Sequence, residues 1–322
     1  MRTISLHDIF EARERISKVI HHTPILYSST FSEMTGMRVY MKAENMQKTG
    51  SFKIRGASNR VFSLTPQEGA KGVLTASSGN HGQAVAYAAR ACGYKATIIM
   101  PEGGSPAKAA SINGYGADLV FCGTTSDERL ALAAKMRDEQ GLVFVPPYDD
   151  PYVIAGQGTA GLEIVEDLDD VAAVLVPTGG CGLISGVATA LKEKNPGISV
   201  FGVEPTGSNS TGLSFKAGRR VSLDRIDTVA DGIRTSIPGE LTFPIVQKYV
   251  DDMLLVSDDE ILRAETLMLE RCKLLTEPTG AVSLAAILFG KLPETFRGKK
   301  VVALISGGNV ALPQLAGYIS AK

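Results

Sequence analysis

A reactive lysine needs small neighbours, and the stretch KTGSFKIRGA provides them. Lys53 stands between Phe52 and Ile54, with Gly50 before it and Arg55-Gly56-Ala57 after it. An amine in that setting can bond to a carbonyl compound that comes close to the backbone. A second stretch, VPTGGCGLISG (Val176 to Gly186), runs from an apolar strand into Gly179-Gly180-Cys181-Gly182 and then into helix-forming residues. Side-chain-poor backbone at a helix start presents several N–H donors with the positive end of the helix dipole, which suits a phosphate. The Gly-Lys-Ser/Thr of a P-loop is absent. Gly180-x-Gly182 is followed by Gly186, one residue late for the dinucleotide fingerprint. The stretch reads as a phosphomonoester site or as a plain tight turn.

The third stretch, TASSGNHGQA (Thr75 to Ala84), sets Ser77, Ser78, Gly79, Asn80 and His81 where a strand feeds a helix. Ser and Asn cap helices. In the same place, hydroxyls, an amide and backbone N–H groups can hold a carboxylate or a phenolate-like oxygen. His81 reads either as a base or, more simply, as a structural histidine. The fourth, ISGGNV (Ile305 to Val310), ends an apolar strand on Ser306, whose hydroxyl can satisfy local backbone or meet the edge of a flat heteroaromatic ring. EPTGA (Glu277 to Ala281) opens another helix with a Glu-Pro first turn. A lysine, a phosphate cup, an Asn beside an anion site and a strand-end Ser are together the parts that pyridoxal phosphate requires.

The elements that must position these groups follow from the rest of the chain. Its 322 residues allow one large domain or two moderate ones, and 44% hydrophobic with 21% charged residues is an ordinary globular composition. A net charge of −1 offers no electrostatic case for nucleic acid or an anionic membrane surface. Cys92, Cys122, Cys181 and Cys272 are scattered, at neither zinc nor disulfide spacing. No 18-residue apolar run or signal-peptide pattern is present, so the expected setting is cytoplasmic with no membrane contact.

Apolar runs alternate with helical patterns. Strands are expected over 71–77, 95–101, 117–123 and 142–147, with helices between them, and an amphipathic helix over the first twenty residues. After residue 170 the alternation resumes: AAVLVPTGG, SVFGVEP and KVVALISGGN read as strands, and LISGVATALKEKN and DDEILRAETLMLERCK as helices. Repeated strand–helix units imply an α/β fold with parallel sheets covered by helices, and a ligand at the strands' carboxyl ends between two units.

ENMQKTGSFKIRGA, SSGNHGQA, PPYDDPYVIAGQGT, VPTGGCGLISG, GVEP, TVADGI and LISGGNV, spread over nearly the whole chain, resemble the fold type II pyridoxal-phosphate enzymes. The resemblance is to the serine/threonine dehydratases and serine racemases in particular. It implies two open, mostly parallel twisted sheets, as in the tryptophan synthase β chain. It also implies a large cofactor-binding domain of residues 1–69 plus 148–322, and a small mobile domain of 70–147. Lys53 then matches the lysine that joins the cofactor, and Phe52 the side chain against one ring face. Asn80 matches the contact to the ring oxygen, Gly179, Gly180, Cys181, Gly182 and Leu183 the phosphate cup, and Ser306 the partner of the ring nitrogen, with Glu277 also on the cofactor side. Ser77, Ser78, Gly79, Asn80 and His81 match the loop for the substrate carboxylate. The implied reaction is dehydration and deamination of L-threonine or L-serine to 2-oxobutanoate or pyruvate and ammonia. The alternatives are serine racemisation and dehydration of threo-3-hydroxyaspartate or another 3-hydroxy amino acid; the second carboxylate of hydroxyaspartate would need a cation such as Arg55 or Arg234. A homodimer or homotetramer is implied as well.

Some positions depart from the family pattern. Cys181 replaces a fourth glycine, which is harmless provided that its backbone needs no positive φ. Glu204 and the Ser208 carbonyl match ligands of a divalent cation such as Mg2+, but Ser210 stands where racemases place an Asp. Ser78 keeps the hydroxyl that racemases use as an acid opposite the lysine. The chain ends thirteen residues after Asn309, so the C-terminal regulatory domain of biosynthetic threonine dehydratases is not expected.

Overall fold

The structure is a computed structural model that describes residues 4–77, 79–104 and 106–320. Ten strands form two sheets among the described residues. The larger contains β1 (Ile25–Tyr27), β2 (Arg38–Ala43), β7 (Val171–Pro177), β8 (Ser199–Pro205), β9 (Asp252–Val256) and β10 (Lys300–Ile305), in the order β1-β2-β10-β7-β8-β9. β1 runs antiparallel to β2, and every other pairing in this sheet is parallel. The smaller sheet contains β3 (Val73–Ala76), β4 (Ala96–Met100), β5 (Asp118–Phe121) and β6 (Val143–Phe144), all parallel, in the order β5-β4-β3-β6. This is the α/β architecture of two mostly parallel sheets that the alternation implies.

Continuous apolar runs in β7 and β10 have the cause usual in parallel sheets, burial on both faces. Ala173, Leu175, Val301 and Ala303 pack on one side against Ala281, Val282 and Ala285 of the helix Pro278–Leu288. Val174, Val176, Val302 and Leu304 pack on the other against Ile184, Val187 and Leu191 of the helix Gly182–Lys194. Parallel pairing also aligns the strand exits. β2 leads to the loop before Lys53, β10 to Ser306, β7 to the glycine turn and β8 to Glu204, all at one edge of the sheet.

The helix Lys53–Phe62 joins the two units. Its Ile54, Ala57 and Val61 pack with Val73, Ile98 and Met100 of the small sheet. Its Gly56 lies against the helix Pro151–Asp167, where a Cβ would sit 2.7 Å from the Val153 carbonyl oxygen. Gly156, opposite, would place a Cβ 2.6 Å from the Arg55 carbonyl oxygen. Two glycines face each other because the helices cross nearly backbone to backbone.

Arg55, on the same helix, is fully buried among acids. Its Nε and Nη2 donate to Glu44 at 2.8 Å each, and its Nη1 and Nη2 to Glu163 at 2.7 and 2.8 Å. Lys42, also fully buried, places its Nζ 2.6 Å from Glu163 and donates to the Thr23 carbonyl at 2.7 Å. Loss of water would lower the guanidinium's pKa, but the two carboxylates outweigh that and raise it. Arg55 therefore belongs to the framework, and it is not the cation for a second substrate carboxylate that the sequence suggests.

The structure departs from the sequence reading in details with physical causes. β1, β2 and β9 go unread in the sequence, because β1 has three residues and β2 carries Arg38 and Lys42 within its apolar run. The single helix expected near residue 270 is an α-helix, Asp258–Leu267, continued by a π-turn over Met268–Cys272 and closed by Lys273 at φ +60°.

Removing the charge of Arg55 strands the buried Glu44 carboxylate and leaves Glu163 to Lys42 alone. Arg55→Met is expected to lower the unfolding free energy by about 3–5 kcal/mol, measured by urea denaturation. A loss below about 1 kcal/mol would mean that the acids find other partners.

Candidate active site

The strand exits of the large sheet face the start of the helix Asn80–Ala91 from the small unit, across a cavity of about 670 Å³. Lys53, Asn80, the Gly179–Leu183 turn, Glu277 and Ser306 all line it, so the four stretches singled out in the sequence meet in one place.

Lys53 is half-buried, and its Nζ donates to the Pro147 carbonyl at 2.7 Å. Burial brings its pKa down from 10.5 to about 8, so roughly a tenth of the amine is uncharged at pH 7, far more than for an ordinary lysine. The Phe52 ring lies 5.1 Å from Nζ, and the Phe52 N–H donates to the Ser306 carbonyl at 3.0 Å, which ties the lysine to the end of β10. A Ser51–Gly307 bridge and the hydrogen bond from Gly308 N–H to Gly50 O complete that tie. The Ser306 hydroxyl is buried and reaches the Thr279 carbonyl only at 3.5 Å, a weak contact that leaves it able to engage a ligand.

The glycine turn is narrow for a reason visible in its walls. A Cβ at Gly180 would meet the Tyr148 ring at 2.3 Å, one at Gly182 would meet Tyr148 Cβ at 2.8 Å, and one at Gly179 would meet Ile233 at 2.9 Å. The turn presents bare backbone, with the N-terminus of the helix Gly182–Lys194 behind it, and fits a phosphate. Leu183 lies in the first turn of that helix and is buried. Cys181 has φ +70°, the left-handed region that favours glycine, so the condition for its harmlessness is not met. Its Sγ lies 3.2 Å from both the Gly179 carbonyl and the Thr211 hydroxyl, and burial pushes the thiol pKa up. A reactive thiolate is not what this position holds.

At the opposite wall, Asn80 Nδ2 donates to Glu277 at 2.6 Å, and Asn80 Oδ1 accepts from Asn309 at 2.8 Å. Burial, with Asp231 nearby, raises the Glu277 pKa to about 7. Ser77 and Gly79 line the cavity, the Ser77 hydroxyl accepting from the Gly79 N–H at 3.3 Å. Ser78 lies outside the described residues. His81 is buried, its ring Nε2 3.0 Å from the Val145 carbonyl, and burial together with the Lys53 charge lowers its pKa to about 3. A carbonyl can only accept, so Nε2 carries the proton and the ring is neutral. His81 is a structural histidine on the cavity wall.

Glu204 stands apart from the cavity. Both of its oxygens accept backbone N–H groups, from Thr211 at 2.9 Å and Gly212 at 2.7 Å, and burial raises its pKa to about 7. The Ser208 hydroxyl donates to the Ile233 carbonyl at 3.0 Å and that of Ser210 to the Thr235 carbonyl at 2.9 Å. A carboxylate already held by donors, with no cluster of acids around it among the described residues, does not fit a divalent cation. No group of three or more His, Cys, Asp or Glu that could hold a metal occurs among the described residues. Glu204 instead anchors the start of the helix Ser210–Ala217.

Several contributors carried little signal in the sequence. Pro147 and Tyr148 sit in PPYDDPY and Asn309 in SGGN, motifs legible as motifs without roles. Lys108, in the helix Pro106–Gly114, had no signal at all. Its Nζ pairs with Asp231 at 2.7 Å across the cavity mouth, which joins the two units. Arg234 lines the same mouth.

Comparison with known proteins agrees with this geometry. Residues 16–307 match the family described as pyridoxal-phosphate dependent enzyme. The chain is 47% identical over 307 residues to an L-threonine ammonia-lyase of Thermotoga maritima, covering 95% of this chain and 76% of that one. It is 43% identical over 321 residues to the catabolic L-threonine dehydratase TdcB of Escherichia coli, covering 99% and 98%. The structure of maize serine racemase superposes with a TM-score of 0.95 at 37% identity, covering 99% and 98%.

The backbone strain at Cys181 can be isolated by comparing two variants that both lack the thiol. Cys181→Gly is expected to be more stable than Cys181→Ala by about 1 kcal/mol in thermal or urea unfolding. Equal stabilities would show that the positive φ costs nothing here.

Proposed function

Since the chain belongs to the pyridoxal-phosphate dependent enzyme family, we propose that it is a lyase that dehydrates and deaminates L-threonine, L-serine or both. The products are 2-oxobutanoate or pyruvate, with ammonia. The observation that carries the reading is a lysine with a lowered pKa facing a bare-backbone phosphate cup and a strand-end serine within one cavity. Relatives named for threonine dehydration support it at 43–47% identity.

Pyridoxal phosphate, when bound, supplies a sink for the electron pair released at the substrate α-carbon. The residues present fit it. Gly179–Leu183 and the helix behind them would hold the phosphate, Asn80 an N–H toward the ring oxygen, Ser306 a hydroxyl toward the ring nitrogen, and Phe52 one ring face. A neutral hydroxyl at Ser306 brings no negative charge to keep a ring nitrogen protonated. That limits charge build-up at the ring and favours expulsion of a β-substituent over transamination.

Lys53 has two tasks, to bond the cofactor and to take the α-proton on its Nζ. A pKa near 8 suits a base working close to neutrality. Backbone and hydroxyl groups of Ser77 and Gly79 would hold the substrate carboxylate. The β-hydroxyl departs with a proton as water, and hydrolysis of the resulting enamine releases the 2-oxo acid and ammonia. The reading includes motion of the unit 70–147, across whose boundary Lys108 and Asp231 pair, and a homodimer or homotetramer. Racemisation of serine is the second reading, supported by the likeness to maize serine racemase.

Two experiments test this. The cofactor-loaded protein is incubated with L-threonine, L-serine, D-serine and L-threo-3-hydroxyaspartate while 2-oxo acid and serine chirality are followed together. Rapid 2-oxobutanoate from L-threonine with little D-serine is expected, and activity should fall by about 10³-fold or more in Lys53→Ala. Dominant D-serine, or oxaloacetate as the fastest product, would overturn the dehydratase reading. In the second, the cofactor-free protein is mixed with pyridoxal phosphate across a pH series. Only the uncharged amine attacks an aldehyde, so the uptake rate should rise about tenfold per pH unit at acid pH and level off above about pH 8. A profile still rising toward 10.5, the ordinary lysine value, would refute the lowered pKa.

A further inference from the structure

Asn309 lies in the loop that follows β10 and takes no part in capping a helix or pairing a strand. Its Nδ2 donates to the Thr49 carbonyl at 2.8 Å and to Asn80 Oδ1 at 2.8 Å. Asn80 Nδ2 in turn donates to Glu277 Oε1 at 2.6 Å. The direction of this chain is fixed at its first link. A backbone carbonyl can only accept, so Asn309 must turn its NH2 toward Thr49. The second hydrogen of that nitrogen then meets Asn80, which must answer with its carbonyl oxygen. The NH2 of Asn80 is left on the far side, donating to Glu277 beside the cavity that Asn80 lines. A flipped Asn80 would set NH2 against NH2 at one end and oxygen against the Glu277 carboxyl at the other.

The placement is also tight. A Cβ at Gly50 would fall 2.3 Å from Asn309 Oδ1, so the side chain rests directly on the loop that carries Lys53. That loop has other ties to the end of β10: the Ser51–Gly307 bridge, the Gly308–Gly50 hydrogen bond and the Phe52–Ser306 hydrogen bond. Asn309 is therefore one of several ties on that loop. Its distinct contribution is the contact with Asn80, which opens a helix of the other unit.

We infer that Asn309 is a positioning residue. It holds the Asn80 amide in the one orientation that points an N–H donor into the cavity, toward the ring oxygen of bound cofactor, in register with the lysine loop. The inference rests on the reading that the cavity takes pyridoxal phosphate.

The test measures pyridoxal phosphate affinity by fluorescence titration and the visible absorption band of the loaded protein. The variants are Asn309→Ala, Asn309→Asp, Asn80→Ala and the Asn80→Ala/Asn309→Ala pair. Asn309→Ala is expected to weaken cofactor affinity about tenfold and shift the band, but to change affinity less than about twofold when Asn80 is already alanine. Asn309→Asp keeps the shape, lacks the donor and should behave like Asn309→Ala; it carries the test should the alanine variant not fold. Equal losses in both backgrounds, or an aspartate variant with wild-type affinity and spectrum, would overturn the relay. A wild-type protein that takes up no pyridoxal phosphate overturns the reading of the cavity, and the relay with it. Wild-type binding matched by both Asn309 variants overturns the relay alone.

Discussion

One buried guanidinium sets the geometry on which the rest depends. Arg55 follows Lys53 by two residues, and its four hydrogen bonds to Glu44 and Glu163 join the exit of β2 to the helix Pro151–Asp167. A carboxylate pair is directional where apolar contact is not, since a helix can slide or rotate over leucines with little penalty but cannot do so against two forked ion pairs. The first turn of the lysine helix is consequently held in rotation and in height. Gly56 and Gly156 then bring the two helices together closely enough for those bonds to form. Desolvating four charged groups is costly, and mutual pairing recovers that cost only with all partners present.

The position of Lys53 thus comes from contacts it does not itself make, and the cavity comes from topology. Four adjacent parallel strands end at the same edge of the large sheet, and their exits carry the lysine loop, the strand-end serine, the glycine turn and Glu204. The small sheet contributes the other wall through the single crossover that opens at Asn80. Polar contacts that cross the cavity include Lys108 with Asp231 and Asn80 with Glu277 and Asn309.

What was legible in the sequence had local causes. A glycine turn between a strand and a helix, a serine closing an apolar strand and a lysine among small residues each leave a compact pattern. Parallel strands announce themselves as apolar runs because both of their faces are buried. What was not legible was set by partners distant in the chain. Arg55 reads as one more cation in a basic stretch until Glu44 and Glu163 are seen around it, which is why the sequence offered it for a substrate carboxylate. Glu204 reads as a metal ligand until its two oxygens are found on the N–H groups of Thr211 and Gly212. Cys181 looks a mild replacement for glycine because a sequence does not state φ. The Asn309 side chain has meaning only through Thr49 and Asn80, 260 and 229 residues away.

The electrostatics of the cavity explain how its lysine keeps a pKa below the ordinary lysine value in a site lined by acids. A carboxylate beside Lys53 would hold its ammonium form and raise the pKa; the observed lowering has burial as its cause. The acids present are engaged elsewhere: Asp231 with Lys108, and Glu277 with Asn80. Glu277, with its own pKa near 7, carries only part of a charge at neutrality. His81, the residue nearest in kind to a competing base, is kept neutral with its proton committed to the Val145 carbonyl. Lys53 accordingly donates to a carbonyl dipole, Pro147, instead of a charge. A dipole can hold the amine in place through hydrogen bonding without contributing the full charge that would keep it protonated. The lysine is thereby both oriented and available: the 2.7 Å contact orients it, and burial lowers its pKa.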